Sequence, residues 1–153
     1  MTAPETLHLQ SEADTAAWAA RIGAVLSPGD TLLLHGPVGA GKSYLARALI
    51  QSLQDVPEDV PSPTFTLVQT YETARGEIWH ADLYRLSGPD DIIELGLDEA
   101  MTSAICLIEW PDRLGDLTPE TALNLTFRAG STENERMLDI PSALMRRLDK
   151  AQV

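Results

Sequence analysis

Two short, continuous apolar runs mark the chain, at Thr31–His35 and Ile105–Glu109. Runs of this kind are typical of strands that are covered on both faces of a sheet. Around the first run, apolar residues recur at helical spacing, which predicts an amphipathic helix on each side of it. The first helix begins after Ser11 and stops at Ser27-Pro28-Gly29, with Trp18, Ile22, Val25 and Leu26 on one face, and the second carries Leu45, Leu49 and Leu53.

The remaining pattern predicts four further strands and two further helices. The strands are expected at 66–72, 77–83, 121–128 and 136–140, with a turn at 73–76 joining the first two as a hairpin. The helices are expected at 89–95, from its acidic first turn, and after Pro141, from Leu144, Met145 and Leu148. Strands and helices in this order predict an α/β domain with a mixed sheet, and we expect a single domain over residues 1–153.

Composition is that of an ordinary globular protein. Of 153 residues, 44% are apolar and 22% charged, which is enough to build a core and argues against wholesale disorder. Neither a long uncharged apolar stretch nor a signal peptide is visible, so we expect a cytoplasmic protein with no membrane association. The single cysteine, Cys106, excludes a disulfide framework, and its place in a buried strand predicts an inert thiol.

The net charge of −12 is concentrated in one part of the chain. Residues 51–115 hold 13 acidic side chains against only Arg75, Arg85 and Arg113. Direct binding to the backbone of DNA or RNA requires a basic patch, so we expect no DNA partner and only indirect contact with RNA through another protein. The acidic stretch is interpreted either as a solvated face or as a face for a partner.

The strongest motif is Gly36-x-x-x-x-Gly41-Lys42-Ser43, which directly follows a predicted buried strand and opens a predicted helix. Glycines in such a loop let backbone N–H groups close around phosphate oxygens, and the helix directs its positive end at the anion. Lys42 adds a positive charge, and Ser43 supplies a hard oxygen for Mg²⁺. The motif predicts a nucleotide site in a P-loop NTPase-like three-layer sandwich with a mixed, mainly parallel central sheet.

Two acidic residues are candidates for the metal and the chemistry at this loop. Glu109 ends an apolar strand, where P-loop proteins usually hold their metal-binding acid, although an ordinary strand-end acid fits the same pattern. Asp82 lies among apolar and aromatic residues, where a carboxylate is costly unless it holds a metal, a water or Arg85. The three histidines are His8 in an expected edge strand, His35 at a strand end and His80 near Asp82; they have no partner at metal-ligand spacing and are interpreted as structural.

Five motifs in order give the chain a specific resemblance. They are the phosphate loop, Ser62-Pro-Thr-Phe-Thr-Leu-Val68, His80-Ala-Asp-Leu-Tyr-Arg-Leu86, Glu94-Leu-Gly96 and Ile108-Glu-Trp-Pro111. Over residues 7–140 the sequence resembles the TsaE family, also called YjeE. These are small bacterial ATPases required for the threonylcarbamoyl modification of adenosine 37 in tRNAs that read ANN codons.

The resemblance implies a role for each matching residue. ATP would be bound by the loop and the start of its helix, with a tryptophan nearby: Gly36, Gly39, Ala40, Gly41, Lys42, Ser43, Tyr44 and Trp110. Ser43 and Glu109 would bind Mg²⁺, and Asp82, Lys42 and Thr64 would serve catalysis, Thr64 by sensing the γ-phosphate. The family's Gly-Arg pair stands here as Glu135-Arg136, so the resemblance assigns Arg136 no clear nucleotide role.

The resemblance also implies partners. The protein would act on the TsaB–TsaD pair, resetting that complex by ATP hydrolysis rather than transferring the group itself, and would meet tRNA only through the complex. A small P-loop kinase of a metabolite or nucleotide is the alternative, although only three arginines between positions 48 and 127 are available to clamp phosphates. A nucleotide-gated binding module without hydrolysis is a third possibility, against which Asp82 and Glu109 argue.

Overall fold

A seven-stranded sheet runs through the part of the chain that the structure describes, which in this computed structural model is residues 5–37, 39–63 and 66–151. Its strands are β1 (Glu5–Leu9), β2 (Thr31–His35), β3 (Val68–Thr73), β4 (Gly76–Asp82), β5 (Ile105–Glu109), β6 (Leu123–Ala129) and β7 (Arg136–Ile140). They lie in the order β1-β7-β6-β2-β5-β4-β3. The four central strands β6, β2, β5 and β4 are parallel, while β7 and β3 run antiparallel to their neighbours and β1 pairs antiparallel with β7. The sheet is therefore mixed and mainly parallel, as predicted.

Helices cover both faces of the sheet. They are α1 (Glu12–Gly23), α2 (Lys42–Ser52), α3 (Pro89–Glu94), α4 (Leu97–Ser103), α5 (Ser142–Ala151) and a 3-10 helix at Pro111–Leu117. Apolar side chains of α1, α2 and α5 pack in one core cluster with alternate residues of the strands, and those of α3, α4 and the 3-10 helix pack in a second cluster on the opposite face. The three-layer α/β sandwich expected from the sequence is confirmed.

The ends of three parallel strands meet where the phosphate loop begins. β5 pairs with β2 on one side and with β4 on the other, and Glu109 is in register with both Leu34 and Asp82. Because parallel strands end at the same edge of a sheet, the last residues of β4 and β5 lie side by side next to the loop that follows β2.

Several element boundaries differ from the sequence prediction for local reasons. α1 ends at Gly23 rather than reaching Leu26, because the next residues form turns whose N–H groups donate to Ile22 and Gly23. β3 begins at Val68 rather than at residue 66, since Leu67 has a φ of 69°, which breaks the extended conformation.

The edge strand expected around His8 is β1, whereas two helices were not predicted and one predicted strand begins later than expected. α4 and the 3-10 helix are only seven residues each, too short for helical periodicity to be distinguished from a loop. The strand expected at 121–128 is β6, which begins only at Leu123, because the N–H of Ala122 donates to the Pro119 carbonyl in a turn that precedes the strand. Among the helices of the described residues, none combines the length and the apolar character needed to cross a membrane.

Candidate functional site

The loop between β2 and α2 owes its shape to its glycines. Gly36, Gly39 and Gly41 all have positive φ, at 142°, 79° and 107°. Gly36 also lies against β6, because a Cβ built on it would meet the Phe127 carbonyl oxygen at 3.0 Å. Gly41 precedes α2 and has no side chain to cap the helix, so the first N–H groups of α2 are left for another acceptor. This loop can therefore receive an anion.

Lys42, the first residue of α2, is buried and held by two groups of the site. Its Nζ donates to the Gly36 carbonyl at 2.6 Å and lies 3.6 Å from the centre of the Trp110 ring. Burial lowers the pKa of the Lys42 ammonium, although the negative charges of Glu109, Asp82 and Asp112 act in the opposite direction. On balance the buried position disfavours the charge of this ammonium, even with those carboxylates nearby.

Ser43 and Glu109 form the centre of the site. The Ser43 Oγ lies 2.9 Å from each carboxylate oxygen of Glu109, and the Glu109 residue is only 3% exposed. A hydroxyl and a carboxylate are hard oxygen ligands, and Mg²⁺ is usually bound by one or two such protein groups together with phosphate oxygens. In the described residues, no group of three or more His, Cys, Asp or Glu side chains could hold a metal ion by itself. The donors present fit Mg²⁺ that arrives with a phosphate ligand.

Asp82 stands beside this pair at the end of β4. It is 5% exposed, and its Cα is paired with that of Glu109 across the strands. One carboxylate oxygen, Oδ1, accepts the N–H of Tyr84 at 3.0 Å, which holds the side chain at the strand end. The result is a second buried carboxylate that is oriented by backbone.

Trp110 directly follows β5 in a left-handed conformation, with φ 57° and ψ 54°. Its ring also packs on Tyr84, with the ring centres 4.9 Å apart and the planes tilted by 55°. Tyr84 is half exposed and lies on the solvent side of this ring pair, while the Trp110 ring covers the Lys42 ammonium.

These residues line one cleft of about 570 Å³. Its lining includes most of the predicted site residues: Gly39, Gly41, Lys42, Ser43, Tyr44, Asp82, Glu109 and Trp110. Gly36 and Ala40 belong to the loop but do not line the cleft; Gly36 presents its carbonyl to Lys42, and the buried Ala40 donates its N–H to Pro37. Thr64, the remaining predicted residue, lies outside the residues that the structure describes, whereas Ser62 of the same segment lines the cleft.

Comparison with known proteins gives the family. The model of the family TsaE, described as threonylcarbamoyl adenosine biosynthesis protein TsaE, matches residues 9–138. The chain belongs to the TsaE family.

Individual relatives agree with this assignment. The tRNA threonylcarbamoyladenosine biosynthesis protein TsaE of Rickettsia bellii is 38% identical over 120 residues, which cover 78% of this chain and 83% of that protein. The protein of the same name from Bacillus subtilis is 35% identical over 124 residues, covering 80% and 77%. The crystal structure of Bacillus subtilis YdiB superposes with a TM-score of 0.79 at 26% identity, covering 100% of this chain and 99% of that one. The fold of this TsaE-family protein is thus P-loop NTPase-like.

The structure brings residues into the TsaE-family cleft that the sequence analysis did not assign to it. Arg136 lines the cleft and donates to the carbonyl of Gly39 in the phosphate loop at 3.3 Å. Arg136 therefore lies in the site even though Glu135 stands where the family has glycine. Three residues at the start of α1 and one before β7 also line the cleft: Ser11, Glu12, Thr15 and Asn134. Their polar character was visible in the sequence, but no motif connects them with the loop.

His80 is the second residue whose position the sequence did not reveal. Its Nε2 lies 2.8 Å from Oε2 of Glu109, and the side chain is 1% exposed. The partner is 29 positions away, so ligand spacing along the chain contained no sign of the contact. Only the pairing of β4 with β5 brings the two together.

Proposed function

We propose that this protein binds ATP with Mg²⁺ and hydrolyses it, as the ATPase subunit needed for threonylcarbamoylation of adenosine 37 in tRNAs that read ANN codons. The observation that supports this most strongly is the contact of Ser43 with both oxygens of Glu109, next to Lys42 at the start of α2. A buried acid held against the hydroxyl of a phosphate loop has no evident purpose in a loop that serves packing alone.

In this proposal the phosphates of ATP lie in the glycine loop. The backbone N–H groups at Gly39 and Gly41 and the start of α2 face them, and Lys42 exchanges its contacts with Gly36 and Trp110 for phosphate oxygens. Ser43 and Glu109 would hold Mg²⁺, which when bound neutralises charge on the phosphates as the bond breaks. The carboxylates in the cleft lining, Glu12, Asp82 and Glu109, outnumber its cations, Lys42 and Arg136, and so favour a nucleotide that arrives with a divalent cation.

Asp82 is the proposed orienter of the attacking water. It is buried beside Glu109, it lines the cleft, and the Tyr84 N–H bonded to its Oδ1 holds the carboxylate at the end of β4, where a water next to the phosphates would lie. Thr64 is proposed to sense the γ-phosphate, because it follows the cleft-lining Ser62 by two residues.

The proposed partners are TsaB and TsaD, with tRNA met only through that complex. The names of the relatives from Rickettsia bellii and Bacillus subtilis connect them with tRNA threonylcarbamoyladenosine biosynthesis. The acidic stretch 51–115 suits a protein that works on another protein rather than on a nucleic-acid backbone, and no DNA partner is proposed. The proposed location is the cytoplasm, where tRNA is modified.

A kinase is less well supported by the arginines. The guanidinium of Arg75 is bound to the carbonyl of Leu26, through Nε at 2.9 Å and Nη2 at 2.7 Å, and Arg75 does not line the cleft. Arg136 is the one arginine among the described cleft-lining residues, whereas kinases usually clamp both donor and acceptor phosphates with several.

The test is ATP hydrolysis by the purified protein, alone and with TsaB and TsaD from the same organism, together with a pull-down in each nucleotide state. Nucleotide-dependent association and a turnover altered by the partners are expected, and Lys42→Ala should abolish both binding and hydrolysis. Turnover that ignores both partners, without association, would contradict the proposed role, and phosphoryl transfer to added metabolites or nucleotides would favour the kinase instead.

A further inference from the structure

His80 occupies a buried position directly behind the proposed metal ligand. It lies in β4 two residues before Asp82, and alternation along the strand turns both side chains to the face that α2 covers. Its Nε2 is 2.8 Å from Oε2 of Glu109, and the two side chains are 1% and 4% exposed. Burying two polar side chains this deeply is costly unless they bond to each other, as Nε2 and Oε2 do here.

Glu109 needs this second donor because Ser43 cannot satisfy both of its oxygens. The Ser43 hydroxyl has one proton, yet its Oγ lies 2.9 Å from Oε1 and 2.9 Å from Oε2. An ionised carboxylate only accepts hydrogen bonds, so His80 donates from Nε2 to Oε2. The Ser43 hydroxyl is then left to donate to Oε1.

Within the residues that the structure describes, the imidazole makes no hydrogen bond besides the one to Glu109. Nδ1 is buried there without a partner, and the paired residue in β5 is the apolar Leu107. If His80 served packing alone, its Nε2–H would not have to point at the Glu109 carboxylate.

We propose that His80 is a positioning residue: its Nε2–H fixes the Glu109 carboxylate beside Ser43 and so determines how strongly Mg²⁺ increases the affinity for ATP. This inference rests on the proposed function. Partners that orient a metal ligand typically contribute about 10- to 100-fold to metal affinity or activity. Among the described residues, the Lys42 ammonium bonds Gly36 and the His80 imidazole bonds Glu109, with no hydrogen bond between the two side chains, so binding of ATP without metal should not depend on His80.

The test compares ATP affinity in Mg²⁺ and in EDTA, by calorimetry, for the wild type, His80→Leu and His80→Gln. The leucine variant removes the donor at similar size, whereas the glutamine amide can place an N–H near the position of Nε2. The matched control is His35→Leu, the same change in neighbouring β2, where the imidazole hydrogen-bonds Asn124 at 2.8 Å outside the cleft lining. Thermal unfolding checks that each variant is folded.

For His80→Leu we expect the Mg²⁺-dependent gain in affinity to fall about tenfold or more, with the EDTA affinity unchanged, and for His80→Gln and His35→Leu we expect the wild-type gain. Mn²⁺ bound together with ATP, followed by electron paramagnetic resonance, should weaken in parallel. If His80→Leu does not fold, His80→Asn replaces it, because its shorter amide cannot reach Glu109.

An unchanged Mg²⁺ gain in folded His80→Leu or His80→Asn would overturn the inference and leave the proposed function standing, as would an equal loss in His80→Gln. A wild type that binds no ATP in Mg²⁺ would overturn both.

Discussion

The Lys42 ammonium lies 3.6 Å from the centre of the Trp110 indole ring, between that ring and the Gly36 carbonyl oxygen. A cation over an indole face is stabilised by the ring's electrons, by about 0.5 to 2 kcal/mol depending on exposure. Phosphate is a stronger partner for an ammonium than either group, because it supplies a full negative charge. Nucleotide binding should therefore withdraw Lys42 from Trp110.

Trp110 fluorescence should report this exchange. We expect the intrinsic tryptophan emission to change when ADP or ATP is added, because a cation beside the indole ring is moved. Trp110→Phe should abolish the change. Trp79→Phe is the control, since Trp79 bonds Glu77 through its Nε1 and packs on the other face of the sheet. A nucleotide-dependent signal that survives in Trp110→Phe would contradict the exchange.

Asp82→Asn should separate hydrolysis from binding. The asparagine keeps an Oδ1 that can accept the Tyr84 N–H, so the strand end should be preserved, but it removes the negative charge that would orient and polarise a water. We expect kcat for ATP hydrolysis to fall by about 100-fold or more, with the dissociation constant for MgATP within about threefold of wild type. Steady-state ATPase assays measure kcat, and equilibrium titration with MgATP measures the dissociation constant.

The division of roles would be wrong if Asp82→Asn lost binding and hydrolysis together. Tyr84→Phe keeps the backbone N–H that Asp82 accepts and retains the aromatic ring against Trp110, so it serves as the control for local disturbance.

The strands and helices that the sequence predicted best are those with long or unbroken patterns. β2 and β5 coincide with their apolar runs, and Ser11 caps α1 as expected, its Oγ accepting the Asp14 N–H at 3.2 Å. The short α4 was missed, since its seven residues lie between a glycine in left-handed conformation and a buried strand.

For the site, local motifs identified the phosphate loop and both acids, but not the groups that reach them from elsewhere in the fold. Glu109 ends an apolar run, a position that can be read along the chain, and Asp82 was identified by its apolar and aromatic neighbours, although its strand was expected to continue to residue 83 and ends at Asp82. His80 and Arg136 depend instead on which strands are neighbours and on where the β6–β7 connection points, and neither follows from spacing. Pairing of distant segments is what single-sequence patterns lack.

The two loop glycines Gly36 and Gly39 should differ in their tolerance of alanine. Both have positive φ, which costs a residue with a Cβ about 1 to 2 kcal/mol. At Gly39 that is the whole cost, because a Cβ there would meet nothing within 4 Å. At Gly36 the Cβ would also approach the Phe127 carbonyl oxygen to 3.0 Å and its Cβ to 3.1 Å, so loop or strand must shift.

We therefore expect Gly36→Ala to lower the free energy of unfolding by about 3 kcal/mol or more and Gly39→Ala by about 1 to 2 kcal/mol, measured by urea denaturation. Gly39→Ala should instead reduce nucleotide affinity, since its new methyl group points into open space in the loop where phosphate is expected. Equal destabilisation by the two substitutions would show that the contact with Phe127 does not restrain the loop.

As the pH rises, nucleotide affinity should begin to fall at a lower pH than it would if Lys42 had the pKa of an ordinary lysine. Burial lowers the pKa of Lys42 in the free protein below its usual 10.5, and a bound phosphate would raise it again. Above the free-state pKa, binding must therefore take up a proton, and affinity falls by up to about tenfold per pH unit, whereas below it affinity is unaffected by this group.

Calorimetry of ADP binding from pH 7 to 10 in buffers of different ionisation enthalpy measures both the affinity and the proton uptake. Lys42→Arg, which stays charged over this range, should show no proton uptake if it binds, and a wild type that binds ADP without proton uptake up to pH 10 would contradict the lowered pKa.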